Sequence, residues 1–304
     1  MVIDAVTRTG AAHDVELTGG LLLQVEHRGG RHVVTGQRHQ GALRLLRPLY
    51  LDSSGQPCLT VVNPGGGYVG GDRYRLAVAV GSEASALVTT QSATKVYRTP
   101  GRAVVQEQTF TVGAGGTLEV IPDPLIAYQD ADYLQRTEVV VSPDARAVLT
   151  DVVTPGWAPD GSLHRWSSVL LRTTLARPHG GLISLDTLHL VPDDDAVADH
   201  GFLPGRTHLG TLLAVAPEID WAVIEVVHDL LTKREAEVTG LRAGVTGLAE
   251  PAGVAQGTRG SAAAGLAVRV LGPGTSAVED LLLDVHAALR RRWGNQGRLN
   301  ARKY

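Results

Sequence analysis

The residues with the clearest chemical potential form a glycine-rich segment at 63–72, Asn-Pro-Gly-Gly-Gly-Tyr-Val-Gly-Gly-Asp. Gly65, Gly67 and Gly70 have the G-x-G-x-x-G spacing that holds a dinucleotide pyrophosphate on the N-terminus of a following helix. Residues 73–80 instead place apolar side chains at every second position, which predicts a strand. An enzyme that binds a phosphorylated ligand or a dinucleotide through residues 65–71 is therefore kept as the alternative interpretation.

The glycines leave two other interpretations open. Glycine permits positive φ angles and the close approach of a second backbone. The segment is accordingly either a wide loop between two strands or a backbone-lined surface against which a partner packs.

A second distinctive segment, Thr-Lys-Val-Tyr-Arg, occupies residues 94–98. On a strand, Lys95 and Tyr97 share one face, and Arg98 lies on the other. Tyrosine and arginine are typical anchors of protein interfaces, so we predict that this strand contacts a protein partner. A polar edge strand is the structural alternative.

Together these two segments resemble the signature of the UreD (UreH) family of urease accessory proteins. That signature is Asn/His-Pro-Pro/Gly-Gly-Gly-x-Val-Gly-Gly-Asp, followed by Thr-x-x-x-Ala-x-Lys-x-Tyr-Arg. Residues 265–272 resemble the family's penultimate strand, and residues 298–304 resemble the ending of its bacterial members. The chain departs from the family pattern in two places, residues 118–125 and residues 150–157. In the first, a tryptophan of the family pattern is absent, and Asp123 stands near a position where the family has glutamate.

The resemblance implies a non-catalytic scaffold in the cytoplasm that helps deliver nickel to the urease active site. The implied partners are the urease apoprotein, a helical accessory protein of the UreF type and a GTPase of the UreG type. Nickel would be a transient cargo, with no cofactor and no tightly bound metal. The resemblance and the residue types suggest contact with a partner or with the nickel path at Gly70, Gly71, Asp72, Thr94, Lys95, Tyr97, Arg98, Asp123 and Asp151.

Asp72 ends the glycine-rich segment and opens the predicted strand. Its carboxylate could offer a weak oxygen ligand to a passing divalent ion. The structural alternative is a capping carboxylate that accepts hydrogen bonds from loop amides.

Composition excludes several other classes of protein. The formal charge of −3 gives no basic footprint for nucleic acid. Cys58 is the only cysteine, which rules out an internal disulfide. No apolar run approaches the roughly twenty residues of a membrane span, and the N-terminus lacks a secretion-signal pattern. His27, His32 and His39 could form a metal site, but exposed loop histidines are the favoured interpretation.

Short alternating segments separated by turn residues predict a mainly β fold, with many short strands in stacked, irregular β-helix-like or sandwich sheets. No fixed repeat period is visible. The predicted strands are 21–25, 59–62, 74–80, 86–90, 104–112, 117–121, 137–141, 147–154, 168–175, 182–190 and 211–215.

About two helices are predicted in the C-terminal third, at 220–237 and 276–293. The apolar face of the first is Trp221, Ile224, Val227 and Leu231, and that of the second is Val278, Leu281, Leu282, Val285 and Leu289. Ser276 and Glu279 have capping-box spacing. We predict a mobile loop at about 240–265 and a single domain over residues 1–304. Beyond Asp284 every charged residue is basic. The tail at 294–304, with Arg298, Arg302 and Lys303, is predicted to dock an acidic partner.

Overall fold

The computed structural model describes residues 16–192, 205–250, 263–294 and 296–300. In chain order the first nine strands are β1 (Gly19–Arg28), β2 (Arg31–Gly41), β3 (Arg44–Leu45), β4 (Leu49–Tyr50), β5 (Pro57–Val62), β6 (Arg73–Val80), β7 (Ser85–Thr90), β8 (Thr94–Val96) and β9 (Val104–Val112). The later strands are β10 (Thr117–Val120), β11 (Leu125–Ala127), β12 (Asp132–Val141), β13 (Arg146–Val153), β14 (Ser168–Ala176), β15 (Leu182–Leu190), β16 (His208–Val215), β17 (Arg242–Ala249) and β18 (Ala263–Gly272). The helices are α1 (Trp221–Glu237) and α2 (Thr275–Gly294).

Within these ranges the strands form two sheets. The first sheet has the order β15-β14-β12-β9-β6-β1-β2. The second sheet has the order β17-β18-β16-β13-β10-β7-β5-β3, with β4, β8 and β11 attached beside this path. The central strands of each sheet are parallel, and the antiparallel pairs lie toward the ends.

The chain passes alternately from one sheet to the other between β5 and β14. Each parallel connection within one sheet therefore contains a strand of the other sheet, and the result is a stack of solenoid-like coils. The prediction of a mainly β fold with stacked sheets is confirmed.

The number of residues per coil is irregular. Tyr74 pairs with Gln106, Gln106 with Gln135, and Gln135 with Leu171. The spacing differs from coil to coil, which explains why no fixed repeat period is visible.

Two apolar cores follow from this arrangement. The first fills the space between the sheets and contains alternate residues of β9, such as Val104, Phe110 and Val112. The second lies between the outer face of the second sheet and the two helices. Burying a leucine- or valine-sized side chain contributes roughly 1.5–3 kcal/mol, so these cores are the main source of stability.

Helix α1 begins after Asp220, whose side chain accepts a hydrogen bond from the Val223 amide. Ile224 is buried as predicted, and Trp221 lies beside it near Gly247 of β17, although Trp221 is 55% exposed. The apolar stripe predicted for α2 is buried. Ser276 lies inside this helix, not at its cap. In the described ranges, neither helix combines the length and the apolar character needed to cross a membrane.

A buried ionic cluster anchors α2 to the second sheet. Glu119 on β10 lies 3.2 Å from His286 Nε2 and 3.3 Å from Arg290 Nε, and all three side chains are almost fully buried. Arg290 also approaches Asp52 at 2.8 Å. Burial raises the pKa of Glu119, but the charges of His286 and Arg290 outweigh burial, so the pKa lies below its usual value.

The loop predicted at 240–265 is wrong where the structure describes it. Residues 242–249 form β17, which lies at the edge of the second sheet and packs against α1 through side chains such as Ala243 and Val245. Residues 263–265 belong to β18. The stretch 251–262 lies outside the described residues, and the single-domain organisation stays a prediction.

Candidate functional site: a polar cavity between the sheets

A cavity of about 60 Å³, here called the inner cavity, lies between the two sheets. Its walls combine apolar side chains with many polar ones. Inward-facing positions of β9 and β12 carry glutamine, whereas other inward positions of β9, such as Val104 and Phe110, are apolar. The polar residues of the lining are Tyr68, Thr89, Thr90, Thr94, Gln106, Gln108, Asp123, Tyr133, Gln135 and Asp151.

Hydrogen bonds join these groups across neighbouring coils. The Tyr133 hydroxyl lies 2.9 Å from Gln106 Oε1 and 3.0 Å from Gln135 Oε1. One hydroxyl proton can serve only one of these acceptors. Gln135 Nε2 donates to Asp151 Oδ1 at 3.1 Å. The cavity wall therefore presents a connected series of carbonyl, hydroxyl and carboxylate oxygens.

Asp151 is the electrostatic centre of this wall. Burial raises its pKa to about 6, and the negative charge of Asp186 acts in the same direction. The hydrogen bond from Gln135 and the charge of Arg269 oppose this shift without cancelling it. Arg269 is itself engaged by Asp186 Oδ1 at 2.5 Å and by Thr211 at 2.6 Å. Asp151 is thus an anion at neutral pH that takes up a proton in mildly acidic conditions.

Asp123 connects the inner cavity to a larger opening. It follows β10, and its carboxylate accepts a hydrogen bond from the Thr90 hydroxyl at 3.0 Å. It lines the inner cavity and also a cleft of about 610 Å³ between the second sheet and α2, here called the outer cleft. Thr89, Pro122 and Val152 line both spaces as well.

The inner cavity also borders a small pocket of about 60 Å³ beside the glycine-rich segment, here called the loop pocket. Thr94 lines both spaces, and Lys95 lines the loop pocket. The structure therefore brings Asp123, Asp151 and Thr94 around one cavity, with Lys95 next to it. The sequence departs from the UreD pattern that it resembles around both aspartates, and yet both line this cavity.

The glycine-rich segment is closed by contacts within the chain. Six of its amide groups, those of Gly65, Gly66, Tyr68, Val69, Gly71 and Asp72, donate to acceptors in the same chain.

A side chain at Gly70 would meet the backbone of Thr99 at 3.0 Å, and Gly71 has a φ angle of +87°. The surface that packs against these glycines thus belongs to the chain itself. Strand β6 follows at Arg73, where a dinucleotide site would need a helix.

The carboxylate of Asp72 is held within this segment. It accepts hydrogen bonds from the Val69 amide at 2.9 Å, from the Tyr74 hydroxyl at 3.1 Å and from the Thr18 hydroxyl at 3.1 Å. These contacts match the structural alternative, a capping carboxylate. Asp72 is not part of the lining of the inner cavity, the outer cleft or the loop pocket. Its part in nickel transfer stays a prediction.

An aromatic row crosses three successive coils beside the loop pocket. The ring of Tyr97 lies 5.1 Å from that of Tyr128, which lies 5.9 Å from Trp157. Tyr97 is 39% and Trp157 56% exposed. Arg98 forms an exposed ion pair with Asp130 at 3.3 Å. We call Tyr97, Tyr128 and Trp157 the aromatic ladder. It continues beyond the sequence motif at 94–98, and the predicted contact with a partner at Tyr97 and Arg98 stays a prediction.

The docking role of the C-terminal tail stays a prediction. Arg298 is engaged within the chain, where it forms partly exposed ion pairs with Asp280 at 2.5 Å and with Asp284 at 3.0 Å. Arg290, in the last turns of α2, is buried in the anchoring cluster. Arg302 and Lys303 lie outside the described residues.

Sequence reasoning missed most of the cavity wall. Gln106, Gln108 and Gln135 stand at the inward phase of β9 and β12, where most other inward positions are apolar. A polar residue in that phase was the available signal, because a buried amide requires hydrogen-bond partners. Tyr128 and Trp157 come together only through strand stacking, which no local pattern reveals.

The fold and the site define a β-solenoid protein whose interior offers oxygen ligands between an outer cleft and a loop pocket. Comparison with known proteins gives the family. The model of the family described as UreD urease accessory protein matches residues 17–303. The chain belongs to the UreD family.

Named relatives support this membership over nearly the whole chain. Each is called "Urease accessory protein UreD". The protein of Arthrobacter sp. (strain FB24) is 43% identical, covering 97% of this chain and 99% of the relative. That of Actinomyces naeslundii is 42% identical, covering 94% and 99%. That of Bacillus sp. (strain TB-90) is 33% identical, covering 95% and 100%.

Proposed function

We propose that this protein is a non-catalytic scaffold of urease maturation. It binds the urease apoprotein in the cytoplasm and conveys nickel through its interior. Membership of a family of urease accessory proteins supports the role. The observation that carries the nickel route is the inner cavity, where Asp123 and Asp151 meet amide and hydroxyl oxygens.

Oxygen ligands suit the passage of nickel through a protein better than its tight binding. Tight sites for nickel use imidazole or thiolate, whereas carboxylate and carbonyl oxygens bind it more weakly. Conduction requires sites that release an ion as readily as they accept it. Asp151 fits this requirement because its pKa of about 6 lets a proton compete with the metal near neutral pH.

The proposed route has two ends. Nickel enters at the outer cleft beside α2, passes Asp123 and Asp151, and leaves at the loop pocket near Lys95. The donor complex, a UreF-type helical protein with its UreG-type GTPase, docks on the helices. The urease apoprotein docks on the aromatic ladder, which borders the exit.

Two exposed surfaces fit these partners. A cleft of about 430 Å³ between α1 and α2 is lined by Val223, Val226 and Leu289, with Arg291 and Arg292 at its rim. An apolar groove with a basic rim suits a partner helix with an apolar face and acidic flanks. The aromatic ladder offers tyrosine and tryptophan, the residues most enriched at interface hot spots.

Variants of these two surfaces should each weaken the binding of one partner and leave the binding of the other unchanged. Trp157→Ala is expected to weaken urease binding by about 2 kcal/mol or more, roughly 30-fold in Kd, while sparing the helical protein. Val226→Asp, which places a charge in the helical cleft, is expected to do the reverse. Each variant is the control for the other in pull-downs with both partners. Equal losses toward both partners, or none, would contradict the assignment.

The role itself is tested by expressing a urease operon with and without this chain. Urease subunits should accumulate to similar amounts in both cases, but only the strain with the chain should yield urease with a full nickel content. Nickel-loaded, active urease without this chain would exclude the proposed function.

A further inference from the structure

The chain after α2 turns back over the outer face of the second sheet. The Gln296 amide donates to the Arg290 carbonyl at 3.3 Å, and Arg290 Nη1 donates to the Gly297 carbonyl at 3.2 Å. The turn directs Leu299 onto Cys58 and Leu87, where it is 8% exposed. The end of the described chain is therefore seated on the protein.

The groove that receives this segment is the half of the sheet that α2 leaves uncovered. Cys58, Leu87, Glu119 and Val148 are successive partners in one row across β5, β7, β10 and β13. Side chains of α2 cover the Glu119 and Val148 end of the row. Leu299 covers the Cys58 and Leu87 end.

Charge fixes the register of the segment in the groove. Arg298 pairs with Asp280 and Asp284, which lie one turn apart on α2. The neighbouring Leu299 then enters the apolar end of the groove. An arginine followed by a leucine thus meets an acidic edge and an apolar floor, which is a specific recognition pattern.

We propose that this groove is a peptide-binding site for an arginine–leucine segment and that residues 296–300 fill it as a displaceable strap. The strap has no regular secondary structure, and its ion pairs are partly exposed, so water and salt weaken them. Arg298, Leu299 and Asn300 also line the outer cleft. If nickel enters there, which rests on the proposed function, a partner segment of the same chemistry would open the entrance by replacing the strap.

The single cysteine of the chain provides a direct test that needs neither nickel nor urease. Cys58 is 4% exposed and lies under Leu299. In a chain that ends at Gly294, reaction of Cys58 with a disulfide reagent such as DTNB should become at least about tenfold faster. A synthetic peptide of residues 294–304, added in trans, should slow the reaction again. Peptides carrying Arg298→Glu or Leu299→Ala should fail to do so.

Point variants of the full-length chain test the proposal if the shortened chain does not fold. Full-length Leu299→Ala and Arg298→Glu should accelerate the reaction in the same direction, with circular dichroism unchanged. Leu163→Ala and Arg291→Glu, which alter exposed residues outside the groove, are the matched controls and should react like wild type. Wild-type thiol reactivity in the groove variants, or no protection by the peptide in a folded shortened chain, would overturn the proposal.

Discussion

Replacing Asp151 by asparagine is expected to raise the free energy of unfolding by about 1–3 kcal/mol at pH 7.5. The reason is the raised pKa, about 6 in the folded protein against about 3.9 in an unfolded chain. The folded protein holds this carboxylate at a cost because burial penalises its charge. Asparagine keeps an oxygen that can accept the hydrogen bond from Gln135, and it carries no charge.

The gain in the free energy of unfolding from Asp151→Asn should depend on pH. Since the folded state binds the Asp151 proton more tightly than the unfolded state, the wild type loses stability as the pH rises from about 4 to about 6. The difference between variant and wild type should therefore be small near pH 4, grow up to pH 6 and stay constant above it. Urea unfolding at several pH values measures this difference.

The matched control is Asp144→Asn, which makes the same change at an exposed turn between β12 and β13. It should leave stability within about 0.5 kcal/mol of wild type at each pH. A lower stability of Asp151→Asn than of wild type at pH 7.5 would show that the carboxylate stabilises the fold and that its pKa is not raised.

The opposite effect is expected at Glu119. Glu119→Gln should lower the free energy of unfolding by about 3–5 kcal/mol, because it leaves the buried side chain of Arg290 without its closest buried carboxylate. That loss is a large part of the 5–15 kcal/mol typical of a folded domain. It should appear as a lower urea midpoint and as earlier loss of helical signal from α2.

An exposed ion pair supplies the control for this second prediction. Glu107 pairs with Arg75 at 2.9 Å, but both side chains are about half exposed. Glu107→Gln should cost no more than about 1 kcal/mol. The pKa of Glu119 is lower in the folded protein than in the unfolded chain. The stabilisation by its carboxylate is therefore fully present at pH values above the unfolded pKa, and it is lost as the pH falls through the folded pKa. A loss at Glu119 as small as that at Glu107 would contradict the anchoring role.

Local patterns were sufficient for several elements of the fold. The strands at 104–112 and 182–190 were predicted with the bounds that the structure shows. Helix α2 was predictable because its apolar stripe has a helical period and all of it is buried. In these segments local propensity and tertiary packing favour the same structure.

Other features depend on packing between distant segments and could not be read locally. Strand β17 is rich in glycine and alanine, which are poor strand formers, and it exists because β18 and α1 support it. Trp221 has helical spacing with Ile224, but it lies at the exposed edge of α1. The ion pairs of Arg298 required the tail to fold back over α2, which the charge pattern alone did not indicate.

The candidate site shows the same division. The sequence directed attention to Asp123, Asp151 and Thr94, and the structure places them around the inner cavity. It also favoured a functional role for Asp72, which stays a prediction. In the structure the Asp72 carboxylate accepts hydrogen bonds from Val69, Tyr74 and Thr18.

The most direct test of the nickel route is the nickel content of urease after activation in vitro. Purified urease apoprotein would be activated with complexes that contain wild-type chain, Asp151→Asn or Asp144→Asn, and the nickel bound per active site would be followed with time. The account predicts that Asp151→Asn binds urease normally, is at least as stable as wild type, and loads nickel about tenfold more slowly, equivalent to about 1.4 kcal/mol in barrier. Asp144→Asn should match wild type. Nickel loading by Asp151→Asn at the wild-type rate would contradict passage through the inner cavity.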